Sequence, residues 1–397
     1  MKISYNWLKD FLSDLSISPE QVAEMLTLHT VETVVAEEIK IDPSIVIVQI
    51  KRIEPHPDAD RLRLATISDG TQEVRVVCGA PNIEEGQIVP YAPPGTVVKD
   101  AEGEDFKIKT AKIRGIESPG MLSSLRELGL HHEHAGIWIL PNDTPIGSKL
   151  SEQIADDTIL DLDVTPNRAH DLMSHRGVAR ELAALLEIEI AELKEADLPQ
   201  PSEEVDGYTV QVEESMDTPR YIGAVLKGAR NGVSPLWMQA RLLAAGTKPI
   251  SSIVDITNYV MYEIGNPSHA FDQTKLPNQA IGVRRAKEGE ELTLLDETRL
   301  SLSPDLPVIT VGDKPIALAG IMGGIGTEVE KTTEDIFLEV ANFRPFLIQE
   351  AMRLSNTRTE ASARFSKGLS PVLVEEATGR IAYLLEQICG ARLNGII

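Results

Sequence analysis

Two rhythms of apolar residues divide the chain. Near the amino terminus Trp7, Leu8, Phe11 and Leu12 recur at helical spacing, the stripe of a 3.6-residue period. Ser4 and Ser18 stand where N-caps belong, the second opening a helix through Leu26. From Ser44 to about Pro141 the period shortens to two. IVIVQIKRI, RLRLATI, EVRVVCGA, QIVPYAP, FKIKTAKIRGI and GIWILP alternate with Gly, Pro and Asp turns, which predicts a small closed barrel. Helical spacing returns over 142–195, where Leu172, Val178, Leu182 and Leu185 stripe the stretch Asn167–Leu186. The polar, proline-bearing run Lys194–Gly207 reads as a linker. Beyond it, YTVQVE, RYIGAVLKG, IGVRRA, LPVITVG, KPIALAGIMGG and DIFLEVANF predict strands, interleaved with helices at Pro235–Ala245, Ser251–Glu263, Pro345–Leu354 and Val372–Cys389.

These elements predict an α+β protein of several domains. Residues 1–40 and 142–195 form one small discontinuous α/β domain, the barrel of 41–141 is inserted in it, and 208–397 build an α+β domain around a mixed sheet. At 397 residues the chain is too long for one core, and 42% hydrophobic content marks a folded globular protein. A net charge of −23 excludes a protein that grips nucleic acid with its whole surface; any RNA contact must come from a local patch. No apolar run is long enough to span a bilayer, and the start MKISYNWLKDFL lacks a signal peptide's apolar stretch. Two distant cysteines, Cys78 and Cys389, speak against a disulfide framework and for a reducing cytoplasm.

Three stretches carry candidate chemistry. In DITNYVMYEIGNPSHAFD, Asp255–Asp272, an apolar run (Ile253, Ile256, Val260, Ile264) can bury one helix face and leave Thr257 and Asn258 on another. Gly265 and Pro267 then end the helix, which predicts His269 on a fixed loop near Asn266. The cluster suits a small-substrate pocket, or equally a capped helix followed by a structural turn. In Phe106–Leu130, Lys107, Lys109, Lys112, Arg114 and Arg126 outnumber the acids Glu117 and Glu127, and Lys107 and Lys109 alternate with Ile108 on one strand face. Such a patch can hold a phosphate backbone, or be a solvated basic face. HHEH at 131–134 could suggest a metal, but adjacent ligands rarely point at one ion, so a polar loop and no metal are expected.

The barrel strings VQIKRIEPHPDADRLRLATI, VVCGAPNIEEGQIVPYAPPGTVV and FKIKTAKIRGIESPGMLSSLRELGL closely resemble the OB-fold tRNA-binding domain of the bacterial phenylalanyl-tRNA synthetase β-subunit family and of free-standing tRNA-binding proteins. MKISYNWLKDFL, LDLDVTPNRAHDLMSHRGVARELAALL, DITNYVMYEIGNPSHAFD and TEASARFSKGLSP resemble the same β subunits in the same order, so the likeness runs from Met1 to about Gly390. It implies tRNA(Phe) binding and, over 208–397, an editing site that hydrolyses tyrosine wrongly esterified to that tRNA. Tyrosine is phenylalanine plus a hydroxyl, which an apolar pocket discriminates poorly and a hydrogen-bonding pocket well.

Carried over by motif, His269, Thr257 and Glu339 are the catalytic candidates, with Glu339 meeting the tyrosine hydroxyl. Asn258, Pro267, Gly320, Gly323, Gly324, Thr359 and Ala361 are the substrate-binding candidates. The expected chemistry is direct ester hydrolysis, with water positioned by His269, Thr257 and backbone amides and assisted by the terminal ribose; no nucleophile signature is present. Without the resemblance, Glu339 reads as a strand-end carboxylate paired with Arg344 or Arg364. The chain departs from the family at Ser366, where Glu is usual, and at Leu369-Ser370-Pro371, where Val-Asp-Pro is usual. The family's β subunit continues into domains that bind the α subunit and the anticodon, beyond what this sequence holds, so the chain is a piece of such a subunit or a short paralogue. Adenylation with ATP and magnesium resides in the α subunit, so no cofactor is expected here, and any function in isolation is editing or binding. A non-enzymatic tRNA-binding module, or an inactive paralogue, is the competing expectation.

Overall fold

The computed structural model describes residues 1–133, 135–213, 218–276 and 279–397. The chain opens with β1 (Lys2–Ser4), α1 (Tyr5–Phe11), α2 (Pro19–His29) and β2 (Thr33–Ile39). Ser4 caps α1 by accepting from Trp7 N, and Ser18 caps α2 in a reciprocal box with Gln21. Next come β3 (Val46–His56), β4 (Ala59–Ser68), β5 (Glu73–Cys78) and β6 (Ile88–Ala92), a hairpin of β7 (Val97–Lys99) and β8 (Asp105–Lys107), another of β9 (Thr110–Ile113) and β10 (Ile116–Pro119), and β11 (Met121–Leu122). These build a five-stranded antiparallel sheet in the order β11-β6-β3-β4-β5. Val77 N on β5 donates to Ser118 Oγ at 3.0 Å, drawing the sheet's far edge toward the β9–β10 hairpin.

After α3 (Leu150–Gln153) the chain returns in β12 (Asp157–Leu162), which lies between β1 and β2, so segments before and after the five-stranded sheet share one small sheet. The stripe over 167–186 is broken: α4 (Ala169–Leu172) ends at Met173, and α5 (His175–Leu186) restarts because Ser174 caps Gly177 N. GIWILP at 136–141 is not a strand; only Leu140 bridges to Ile88, while Trp138 is buried and donates from Nε1 to Gln239. An apolar run buried by irregular packing cannot be told from a strand by pattern. Lys194–Gly207 is irregular but pinned, with Ala196 N bonded to Gly379 O and Ser202 N to Ile396 O.

The remaining chain holds β13 (Thr209–Val212), β14 (Arg220–Lys227), α6 (Leu236–Ala244), α7 (Ser252–Ile264), β15 (Ser268–Asp272), β16 (Ala280–Arg285), β17 (Glu291–Thr293), β18 (Arg299–Ser301), β19 (Pro307–Val311), β20 (Lys314–Leu318), β21 (Met322–Gly323), β22 (Ile336–Asn342), α8 (Pro345–Ser355), α9 (Glu360–Phe365), α10 (Leu373–Leu384) and β23 (Arg392–Ile396). It is built on two main sheets rather than one. β13-β16-β19-β20-β21 is mixed through the parallel β13–β16 pair, whereas β15-β22-β14-β23 is wholly antiparallel.

The antiparallel sheet works with both faces because successive side chains alternate. Ile222, Ala224, Leu226, Ala270, Leu338 and Val340 pack into a core shared with α1, α5, α7 and α10. Val225, Phe271, Phe337 and Ala341 pack against the mixed sheet. His269 and Glu339 sit on that second face. Among the described residues no helix is long and apolar enough to cross a membrane.

Candidate functional site

His269 was expected on a loop and lies instead within β15. Gly265, at φ 104°, closes α7 in a left-handed turn, and Pro267 leads straight into extended backbone. Asn266 holds this turn to the sheet by donating from Nδ2 to Ala341 O and Pro267 O. β15 pairs antiparallel with β22, placing His269 opposite Glu339. Glu339 in turn lies opposite Gly223 on β14, two residues from Tyr221. Glu339 is mid-strand and 6% exposed, not a strand-end carboxylate; Arg364 is bonded to Glu360 and Met173 O instead.

A cavity of about 100 Å³ opens against this face. Pro267, His269, Gly320, Gly323, Glu339 and Ala361 line it together, with an apolar wall that includes Ile309, Met322, Phe343 and Phe365. Glu339 Oε2 and His269 Nε2 are sealed from solvent and have no hydrogen-bond partner. Burial pushes the Glu339 carboxyl up to about 8, opposed by the nearby Tyr221 hydroxyl. That hydroxyl, itself buried and pushed up by burial and by Glu339, makes no well-formed bond to the carboxylate. Burial pulls His269 down to about 4, with Glu328 opposing. At neutral pH the site therefore presents a carboxylic acid and a neutral imidazole.

The two polar groups are cross-strand neighbours, roughly 5 Å apart at Cβ. The imidazole packs on Gly323, where an added Cβ would stand 2.7 Å from His269 Cε1 and 2.8 Å from Nε2. The Glu339 carboxyl lies near the Tyr221 hydroxyl. Gly320, at φ 69°, leaves room for Ile348, Phe343 and Phe365 to close the wall. Thr359 is not on the wall; it caps α9 and donates to Ile321 O at 2.9 Å, fixing the helix whose Ala361 is.

Three further candidates are also absent from the wall. Thr257 and Asn258 lie on α7 and do not line the cavity; the Thr257 hydroxyl donates to Val254 O at 2.7 Å, the usual local bond of a mid-helix threonine. Gly324 is a packing glycine, since a Cβ there would meet Ile316 O at 2.5 Å. Tyr221, Phe343 and Phe365 were missed, although period-two alternation puts Tyr221 on the Gly223 face. Ser366 caps the end of α9 and its carbonyl accepts from Gln349, so this departure leaves the cavity wall intact.

Beside the five-stranded sheet, Lys107, Lys109, Lys112 and Arg114 are exposed along the β8–β10 hairpins, with Ile108 turned into the core between the first two. Arg126 is separate, half-buried on a cleft it shares with Lys99, His131 and His132. Of HHEH, His134 lies outside the described residues, while the His131 and His132 rings stack at 4.1 Å.

Two family models match the chain: a tRNA binding domain over residues 45–149 and a B3/4 domain over 217–390. The phenylalanine–tRNA ligase β subunit of Geobacillus kaustophilus is 42% identical over 405 residues, covering 100% of this chain and 50% of that protein. Its counterpart in Shouchella clausii is 41% identical over 402 residues, covering 98% and 49%. This chain corresponds to the amino-terminal half of phenylalanine–tRNA ligase β subunits. It spans about half the length of these curated relatives. An amino-terminal fragment of the phenylalanyl-tRNA synthetase β subunit from Pyrococcus horikoshii is 18% identical over 53% of this chain and 61% of its own, at a TM-score of 0.28. In ligase β-subunit terms, the His269–Glu339 cavity falls within the B3/4 match and the basic hairpins within the tRNA-binding match.

Proposed function

We propose that this chain edits tRNA(Phe), hydrolysing the ester of mischarged tyrosine in the His269–Glu339 cavity while the barrel's exposed hairpins hold the RNA through Lys107, Lys109, Lys112 and Arg114. The observation that carries the reading is the pair of sealed, unpartnered polar atoms facing an apolar-walled cavity. Buried polar groups are ordinarily satisfied, so these two are poised for a ligand. A protonated Glu339 can both donate to and accept from a phenol hydroxyl, and phenylalanine would leave it unpaired at a cost of about 1–3 kcal/mol. The neutral His269 Nε2 orients water toward the aminoacyl carbonyl. Water adds there, the ester C–O bond breaks, and the proton goes to the departing ribose oxygen. Position and electrostatics supply the rate, without a covalent enzyme intermediate or a cofactor. Thr257 is given no part. In the full synthetase an α subunit would charge the tRNA, and the work would be cytoplasmic.

The test is deacylation of Tyr-tRNA(Phe) and Phe-tRNA(Phe) by the purified chain. Tyrosine should be released selectively, and Glu339→Ala should cut the selectivity by roughly 5- to 150-fold, the range that one unpaired buried group corresponds to. Equal selectivity in Glu339→Ala and wild type would sink the assignment.

A further inference from the structure

A cleft of about 780 Å³ lies where the barrel, the β1-β12-β2 sheet and the B3/4 region meet. Its lining combines Lys99, Arg126, His131 and His132 from the barrel with Lys2, Glu37 and Asp161 from the small sheet and Tyr262 and Glu360 from the B3/4 region. The carboxylates are neutralised within the protein. Glu37 pairs with Lys2, Asp161 with the Met1 amine and Glu360 with Arg364. Lys99 is likewise taken up by Asp105. Arg126 differs: it makes no ion pair among the described residues, and its Nε is sealed without a partner. With Nε shut off from water and no counter-ion beside it among the described residues, this half-buried side chain has lost part of its hydration, a cost that an anion bound at its Nη atoms would offset. Its planar fork suits a phosphate. The cleft also adjoins the editing cavity, because Glu360 faces the one and Ala361, the next residue of α9, faces the other.

We infer that this cleft holds a backbone phosphate of the tRNA acceptor strand, with Arg126 as its principal ligand and the His131 and His132 imidazoles flanking it, so that the strand's end reaches the cavity past the first turn of α9. The inference deepens the editing reading and rests on it for the direction of the strand, but it is tested by binding alone. Uncharged tRNA(Phe) is titrated against the full chain by fluorescence anisotropy from 50 to 200 mM salt, for wild type, Arg126→Gln and Arg126→Lys. Arg126→Gln should bind more weakly, with the slope of log affinity against log salt smaller in magnitude by about 0.9, the change for one lost phosphate contact. Arg126→Lys should keep most of the slope, which controls for folding. An unchanged slope and affinity in Arg126→Gln overturns the inference. Inorganic phosphate is the second arm: if it protects wild type but not Arg126→Gln against heat while tRNA binding is the same in both, the cleft takes free phosphate and the RNA assignment is overturned. If Arg126→Gln loses the contact but no variant hydrolyses Tyr-tRNA(Phe), the phosphate site stands and the editing reading falls.

Discussion

Replacing Glu339 by glutamine should change how stability depends on pH, with a sign and size set by the structure. The carboxyl is 6% exposed and its folded value is about 8, against 4.5 for an ordinary glutamate. Between those values the folded protein keeps a proton that the unfolded chain has released. Stability from this group therefore falls as pH rises through the window, by about 1.4 kcal/mol per unit and at most roughly 5 kcal/mol in total. His269 acts oppositely: with a folded value of about 4 against 6.5, its contribution is lost as pH falls below 6.5, at most roughly 3 kcal/mol. The two slopes cancel between about 4.5 and 6.5. In Glu339→Gln only the histidine slope survives. Relative to wild type, the variant should gain stability steadily from about pH 4.5 to 8 and level off above. Because a chain of several domains need not unfold in one step, the assay is hydrogen-exchange protection of the Ile336–Asn342 amides of β22 at half-unit pH steps. Any constant offset between the proteins is immaterial; only the difference's pH dependence counts. Parallel curves would mean that Glu339 is ionised and compensated in solution, and the account of the cavity as a neutral-acid hydroxyl reader would fail.

Two further perturbations probe other parts of the site. Gly323→Ala puts a methyl 2.7–2.8 Å from the imidazole; overpacking of this kind costs about 1–3 kcal/mol, so thermal melting should show a modest loss while Tyr-tRNA(Phe) hydrolysis drops at least tenfold, and full activity would show that the ring's position is unimportant. The double variant Lys107→Gln/Lys109→Gln should bind tRNA(Phe) with a salt slope smaller by about 1.8, two contacts' worth, and leave the hydrolysis rate of saturating substrate unchanged; an unaltered slope would make the hairpin a solvated face.

What the sequence disclosed and what it hid follow from how far apart the determinants lie. α1 and α2 are legible because Ser4, Ser18 and the Trp7–Leu12 stripe are local, and the structure caps both helices as the pattern predicts. In the five-stranded sheet, β3, β4 and β5 are legible for the same reason, each being one alternating run with turn residues at its ends. β15 is not, because the five residues Ser268–Asp272 follow a Gly-Asn-Pro breaker and become a strand only by pairing with β22 about seventy residues later. β23 hides similarly, as an edge strand of the same sheet that becomes a strand only by pairing with β14. Glu339 shows the converse. All seven residues of β22 are buried, the signature of a strand covered on both sides, and one acid inside such a run is a local anomaly visible without coordinates. What the run cannot reveal is whether a cation or a ligand answers that acid. The answer needed the register that sets His269 beside it, Gly323 beneath the imidazole, and a wall gathered from β19, β20, α9 and the loop before α8. A strand buried on both faces shields its carboxyl from water, so in this sheet burial favours the protonated acid despite the Tyr221 hydroxyl beside it. The protein therefore retains a costly group on the face that lines the cavity.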